Sequence, residues 1–243
     1  MKDALHSFGA AVAELDGELN WELLGRAACE GDGSDFYDSA LREAILDTGL
    51  HLAQDLGQVL DPAGGRSLYL GAEVAEFPVI FAEHLVLGRR VEWLNLDCAQ
   101  TAELARAIGV VEARLGITLV RPRAEGLDSI EPGSCNHLWL VSVLTDPDHF
   151  PALHDELYER RQGPLATGRG SLEDDRLRAR ALVSSLLERA GHGCVLTTTD
   201  EELGFVEPLL KQRGLAFELV YKSRLSAVVG DQVRMGRLHR LQP

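Results

Sequence analysis

From residue 66 onward, short apolar runs alternate with longer segments of helical periodicity. The runs predicted as strands are SLYLGA (67–72), RVEWLNLD (90–97), GITLVRP (116–122), HLWLVSVL (137–144) and CVLTTT (194–199). The segments between them, such as CAQTAELARAIGVVEARLG, place apolar residues at helical spacing. This alternation predicts an α/β fold with a mostly parallel sheet and helices on both faces.

The two ends of the chain depart from that alternation. Two strand-like runs, 215–229 and 232–241, meet at Gly230–Asp231 and predict an antiparallel hairpin that brings the sheet to seven strands. Residues 1 to about 60 show helical spacing until DPAGG, 61–65, interrupts it. We therefore predict an N-terminal helical segment over 1–62 and an α/β domain over 63–243, with a helical insertion around 160–190.

Composition narrows the classes of partner. The 243-residue chain carries a formal net charge of -14, which repels phosphate backbones and disfavours a nucleic-acid substrate. The longest apolar runs are too short to span a bilayer, so no membrane partner is expected. A small-molecule substrate is the remaining expectation, and the sequence leaves a homodimer open.

The cysteines indicate the compartment. Four cysteines are scattered along the chain without a CxxC pair or metal-ligand spacing: Cys29, Cys98, Cys135 and Cys194. This pattern is typical of reduced thiols in a cytoplasmic protein. The first residues mix acidic and polar side chains with apolar ones, so we expect no secretory signal.

The first strand ends in a glycine and the second in an acid. Gly71 follows Leu68–Leu70, and Asp97 closes RVEWLNLD. In open α/β sheets, ligands bind beyond the carboxyl ends of the strands, where glycine permits close approach and a carboxylate accepts hydrogen bonds from ribose hydroxyls. Gly71 and Asp97 are thus candidate nucleotide-binding residues. Alternatively, Asp97 caps the helix that follows it, because aspartate favours that position.

These features together resemble the class I S-adenosylmethionine-dependent methyltransferases. The resemblance runs from about Ser67 to the C-terminus and includes the terminal hairpin; SLYLGAEVAE and VEWLNLD are similar to the first two motifs of that family. It implies a Rossmann-like fold, S-adenosylmethionine as cofactor and Asp97 as the ribose-binding acid. It also implies that Ala124 and Glu125 flank the adenine and that Ser142 borders the methyl-donor pocket.

The first motif departs from the family pattern. The family has three alternating glycines preceded by an acid, whereas this chain has Tyr69, Gly71, Glu73 and Ala75 at those positions. If the Glu73 carboxylate faced the ligand, it could hold the amino group of the donor; if it faced inward, it would obstruct the site. A turn with few glycines is also similar to that of nicotianamine-synthase-like enzymes, which transfer the aminobutanoyl group of the same donor.

Other constellations give weaker signals. TDPDHFPALHD, 145–155, gathers acids and histidines, but DPD before an apolar run is a common helix start, so we predict no metal site. His149, near the end of the fourth predicted strand, is a candidate general base. The motifs GxSxG, Walker A and HExxH are absent from the sequence.

The sequence therefore favours S-adenosylmethionine-dependent methyl transfer to a small molecule. The competing hypotheses are aminobutanoyl transfer from the same donor, and a methyltransferase-like binding or scaffold protein without catalysis. The candidate donor residues are Gly71, Glu73 and Asp97, with Ala124, Glu125 and Ser142 as weaker candidates.

Overall fold

The computed structural model describes residues 2–28, 33–61, 64–159 and 166–241. Its helices are α1 (Lys2–Glu18), α2 (Trp21–Ala28), α3 (Ser39–Val59), α4 (Phe77–Phe81), α5 (Ala99–Leu115), α6 (Pro151–Leu157), α7 (Leu172–Glu188) and α8 (Asp200–Gln212). Its strands are β1 (Arg66–Leu70), β2 (Arg90–Leu94), β3 (Cys135–Leu140), β4 (Ala190–Thr199), β5 (Leu215–Leu225) and β6 (Gln232–Arg240). The chain forms two compact units, Met1–Gly126 and Leu127–Pro243.

The first unit contains α1–α5 and the parallel pair β1–β2. The register of this pair places Leu70 opposite Leu94, so both strands end at the same level. Trp93 and Leu94 are fully buried, as are Leu68 and Tyr69 of β1. Burial of successive residues, rather than alternate ones, shows that both faces of these strands are covered.

A buried ion pair lies in the connection from β1 to β2 and contacts side chains of β1. Arg89 Nε donates to Glu83 Oε2 over 3.0 Å, and both side chains are fully buried. Tyr69 Oη donates to Glu83 Oε1 at 2.5 Å, and Ser67 Oγ donates to Glu83 Oε2. A buried carboxylate needs such partners because desolvation of an unpaired charge is costly.

The predicted strand 116–122 is wrong as a regular strand. The residue that follows it, Arg123, forms one parallel bridge to Leu94, in which Arg123 N donates to Trp93 O and Asn95 N donates to Arg123 O, both over 2.9 Å. The segment before the bridge is diverted to α5, because Glu112 Oε1 accepts from Leu119 N at 2.7 Å. A side-chain carboxylate thus occupies a backbone donor that a strand ladder would use.

The second unit contains α6–α8 and four strands in the order β3-β4-β6-β5. β3 and β4 are parallel, whereas β6 pairs antiparallel with both β4 and β5. The predicted C-terminal hairpin is confirmed, although β5 ends at Leu225 and a turn through Gly230 precedes β6. Of the insertion predicted around 160–190, residues 160–165 lie outside the described part of the chain, as does Cys29.

The predicted fold class is confirmed. The chain has a Rossmann-like α/β fold with parallel strand pairs and an antiparallel C-terminal part. Within the described ranges there are six strands and the extended segment at Arg123. None of the described helices has a stretch long and apolar enough to cross a bilayer.

Candidate functional site

Gly71 forms the turn that follows β1. Its φ of 66° lies in the left-handed region, which glycine adopts without the steric cost that a Cβ would add. Its N–H donates to Leu94 O, the last carbonyl of β2, over 2.9 Å. The chain therefore bends sharply at the carboxyl end of the β1–β2 pair.

The residues after Gly71 are tied to the end of β2. Ala72 O accepts from Trp93 Nε1 at 2.7 Å and from Asn95 Nδ2 at 2.9 Å. Glu73 N donates to Glu76 Oε2 over 2.8 Å. Three polar backbone groups of the turn, Gly71 N, Ala72 O and Glu73 N, thus have partners inside the protein, which fixes the turn.

Glu73, which stands at the second glycine position, caps a short 3-10 helix, Val74–Glu76. The Glu73 side chain accepts from the backbone N–H of Glu76, while the Glu76 side chain accepts from the backbone of Glu73, which completes a capping box. Gln100, in the orientation that satisfies both side chains, donates its amide to Glu73, with 2.9 Å to Oε2. The Glu73 side chain is half-buried and points into these contacts.

The neighbouring carboxyl of Glu76 is perturbed. Burial raises the pKa of Glu76 to about 8, and the charge of Glu73 adds to the shift. Two carboxyls that share one turn cannot both ionise cheaply in a poorly solvated place. At neutral pH the turn therefore favours one negative charge over two.

Asp97 lies three residues beyond β2, and its side chain is exposed. The residue that caps α5 is Cys98, so the alternative assignment of Asp97 as the helix cap is wrong. Within the described ranges, the Asp97 carboxylate makes no hydrogen bond or ion pair. A carboxylate at the carboxyl end of a parallel strand without protein partners is free to accept hydrogen bonds from a ligand.

The two weaker candidates of the first unit follow the bridge at Arg123. Ala124 and Glu125 are exposed, and Glu125 Oε2 lies 3.1 Å from Arg123 Nη1. Arg123 also donates to Glu92 Oε2 at 2.7 Å. Because Leu94 pairs with Arg123 and accepts from Gly71, the end of β2 places the Gly71 turn and the Ala124 segment on either side of it.

Ser142, in the second unit, has a strained backbone. Its φ is 59°, which is uncommon for a residue with a Cβ. Ser142 N donates to Glu202 Oε2 over 3.1 Å, and Ser142 Oγ donates to Asp231 Oδ2 over 3.2 Å. The residue lies just after β3, at the carboxyl end of that strand.

His149, the candidate base, is exposed, and its Nδ1 lies 2.5 Å from Asp146 Oδ2. That contact orients the imidazole, while its location in a surface turn keeps it in water. Among the residues that the structure describes, no group of three or more His, Cys, Asp or Glu side chains could hold a metal ion.

Several residues that fix the Gly71 turn and Ser142 were missed by the sequence analysis. Trp93, Asn95 and Gln100 fix the Gly71 turn through side chains, and Glu202 fixes Ser142. Their partners are distant in sequence, so no local spacing identifies them. Trp93, one residue before the end of the buried strand β2, carried the one usable signal, because its indole N–H needs an acceptor when buried.

A cavity of about 450 Å³ lies in the first unit between α2 and the start of α5. It is lined by Asn20, Glu22, Leu23, Arg26, Ala27 and Ala99. Ala99 is two residues from Asp97. The N-terminal helices are held on α5 by charged contacts, including Arg106 Nη1 to Glu18 Oε1 at 2.9 Å and Asn20 N to Glu103 Oε1 at 2.7 Å.

No protein-family model and no curated protein sequence matches the chain. Several solved structures are similar in fold to this chain. Magnesium protoporphyrin IX methyltransferase from Synechocystis PCC 6803, with bound SAM, has a TM-score of 0.51 and 10% identity over 93% of this chain and 96% of that chain. A Galdieria sulphuraria protein provisionally assigned as a sarcosine dimethylglycine methyltransferase has a TM-score of 0.50 and 15% identity over 84% and 91% of the two chains. At such identities the likeness shows the fold, which is that of S-adenosylmethionine-dependent methyltransferases.

Proposed function

We propose that this chain, which has the fold of the class I methyltransferases, binds S-adenosylmethionine and transfers its methyl group to a small molecule. The observation that carries the proposal is the exposed Asp97 carboxylate, which has no partner among the described residues and follows β2 beside the Gly71 turn. The arrangement fits the ribose of the donor. A carboxylate accepts hydrogen bonds from both ribose hydroxyls, and a left-handed glycine lets the ligand approach the backbone.

The residues of this chain would bind and align the donor. Asp97 would bind the ribose, the Gly71 turn would form the floor of the donor-binding site, and Ala124 and Glu125 would flank the adenine. When bound, S-adenosylmethionine supplies a methyl group activated by its sulfonium, so the protein mainly orients the acceptor and excludes water. The net charge of -14 supports a small acceptor rather than a nucleic acid.

We further propose that residues 1–62 cover the substrate. The support is the cavity between α2 and the start of α5, close in sequence to Asp97. Enclosure by helices would exclude water from the transferred group.

Isothermal titration calorimetry with S-adenosylmethionine and S-adenosylhomocysteine tests the proposal. We expect micromolar binding to the wild type and a loss of about 10- to 100-fold in affinity for Asp97→Asn, because a hydrogen bond to a charged group contributes about 1.5–3 kcal/mol. Asp47→Asn is the matched control, since Asp47 is exposed on α3, where its carboxylate lies 3.4 Å from His51 Nδ1. Equal affinities of the two variants would contradict the assigned role of Asp97.

A second candidate function is binding or scaffolding without catalysis. The favouring observation is the Gly71 turn itself, whose carbonyl at Ala72 and amide at Glu73 already have protein partners. A turn that is satisfied internally offers fewer groups to a ligand. If neither S-adenosylmethionine nor S-adenosylhomocysteine gives a heat of binding, the result favours this function. If the chain does bind S-adenosylmethionine, release of methylthioadenosine as the product would indicate aminobutanoyl transfer instead of methyl transfer.

A further inference from the structure

A second cavity, of about 210 Å³, lies within the second unit between α7 and α8, and we call it the α7–α8 cavity. Sites for drug-sized ligands have volumes of about 300–1,000 Å³, so this cavity suits a smaller molecule. Two arginines of α7 and four residues of α8 form most of its lining: Arg176, Arg180, Gly204, Phe205, Pro208 and Leu209.

The α8 side of the cavity contains the two residue types that are least favourable in a helix interior, glycine and proline. Pro208 has no N–H, so it cannot donate the usual helix hydrogen bond to Gly204 O. Gly204 has no left-handed φ, and among the described residues a Cβ at this position would have no neighbour within 4 Å outside the local helix backbone. Neither packing nor backbone conformation therefore requires this glycine. Such departures from local preference are typical of functional sites.

The α7 side of the cavity carries two cations. Arg176 and Arg180 stand at i and i+4, where like charges repel each other. Arg176 Nη2 donates to Glu156 Oε1 at 2.6 Å, which compensates its charge. Arg180 is exposed and makes no hydrogen bond or ion pair with any described residue, although the chain has 38 acidic residues. An anionic ligand would supply the counter-charge for Arg180.

Apolar side chains of α8 lie opposite these arginines. Phe205, Pro208 and Leu209 stand at i, i+3 and i+4, so they share one face of the helix. Leu209 is buried and Phe205 is half-buried. A guanidinium binds a carboxylate through two parallel hydrogen bonds, and a phenyl ring packs well against another ring. The cavity thus offers one side to a carboxylate and the other to an apolar ring.

We propose that the α7–α8 cavity binds a small aromatic carboxylate. Arg180 donates hydrogen bonds to the carboxylate, and the ring packs against Phe205, Pro208 and Leu209. The size of the cavity favours a free acid with one ring over an extended peptide. All of these residues belong to the second unit, and the proposal does not depend on binding of S-adenosylmethionine.

NMR titration of the full chain tests the proposal with benzoate, phenylacetate and 3-phenylpropionate, which differ in the distance from ring to carboxylate. We expect at least one acid to bind with a Kd near ~1 mM, as is usual for a ligand of about ten non-hydrogen atoms, and to shift signals of α7 and α8. The corresponding neutral amide should bind at least about fivefold more weakly, because it lacks the charge that the guanidinium recognises.

Arg180→Gln removes that cation. It should weaken binding of the acid at least about fivefold and leave binding of the amide unchanged, whereas a merely structural change would weaken both. Arg240→Gln is the matched control and should keep the wild-type Kd. Arg240 is an exposed arginine of β6, in the same unit, and it makes no hydrogen bond or ion pair with a described residue.

Gly204→Leu tests the cavity itself. The open space around a Cβ at this position admits a larger side chain, and leucine fits a helix better than glycine. We therefore expect a higher Tm together with acid binding at least about tenfold weaker. Gly9→Leu, at an exposed glycine of α1 with similar open space, should leave binding unchanged. Circular dichroism and thermal unfolding confirm that each variant is folded.

Three results would overturn the proposal: no binding of any of the acids at about 10 mM, equal Kd values for acid and amide, or undiminished binding by Gly204→Leu. Binding of an acidic peptide with an aromatic residue, without competition from the free acids, would also overturn it, because the partner would then be a protein. None of these results bears on S-adenosylmethionine binding, which calorimetry measures separately.

Discussion

Gly71 follows β1 in a left-handed backbone conformation, which is sterically unfavourable for residues that have a Cβ. Gly71→Ala would add a Cβ at φ 66°, so we expect a loss of about 1–2 kcal/mol in the free energy of unfolding and weaker donor binding. Urea denaturation and calorimetry measure the two effects. Gly9→Ala is the matched control, because Gly9 lies in α1 with open space around an added Cβ, and alanine should stabilise that helix by about 0.5–1 kcal/mol.

Glu76 predicts a pH dependence of stability. Because the folded pKa is about 8 and the usual value is 4.5, the folded state binds more protons than the unfolded state between these limits. Stability therefore falls as pH rises through this window. Glu76→Gln should be about 2–4 kcal/mol more stable than the wild type above pH 8 and nearly equal to it at pH 4.5.

Chemical denaturation at the two pH values measures this difference. Glu43→Gln, an exposed change on α3, should show no pH-dependent gain. A constant difference between Glu76→Gln and the wild type across the range would show that the Glu76 carboxyl is not desolvated.

Single residues could be located from the sequence where they follow a strand. Gly71 and Asp97 end recognisable apolar runs, so their positions followed from the pattern. The roles of Gln100, Trp93 and Glu202 depend on side chains that meet only after folding. The sequence shows that Glu73 stands at the second glycine position of the family motif. It does not show the capping box with Glu76 or the contact with Gln100, because these form only when the turn is packed.

The β1–β2 pair depends on the ion pair between Arg89 and Glu83. Arg89→Met would leave a fully buried carboxylate without its cation, so we expect a loss of about 3–5 kcal/mol in the free energy of unfolding. The neighbouring Arg90→Met is the control: Arg90 binds Glu92, its side chain is 71% exposed, and the loss should stay below about 1 kcal/mol. Similar losses in both variants would mean that Glu83 is stabilised by its hydroxyl donors alone.

Whole elements were predicted well where apolar periodicity reflects burial. The parallel strands and the terminal hairpin follow from runs of the right length between helical segments. Segment 116–122 has the composition of a strand, yet a carboxylate of α5 takes one of its amides, and only Arg123 bridges to β2. The composition of a segment indicates its preference for strand structure. Whether the segment pairs depends on which acceptors lie within hydrogen-bonding distance of its amides in the folded chain.

For the molecule as a whole, the charge predicts weak affinity for nucleic acids. We expect no change in fluorescence anisotropy of labelled single- or double-stranded RNA at protein concentrations up to about 10 µM in ~50 mM salt. The net charge of -14 is the reason, since each phosphate contact requires a local cation. Salt-sensitive RNA binding in this range would instead point to a nucleic-acid acceptor.

A crystal structure of the chain with S-adenosylhomocysteine tests the central claim most directly. Binding of the donor beside the Gly71 turn predicts the Asp97 carboxylate about 2.6–3.0 Å from both ribose hydroxyls. A nucleoside bound elsewhere, with the Asp97 side chain left in water, would contradict it.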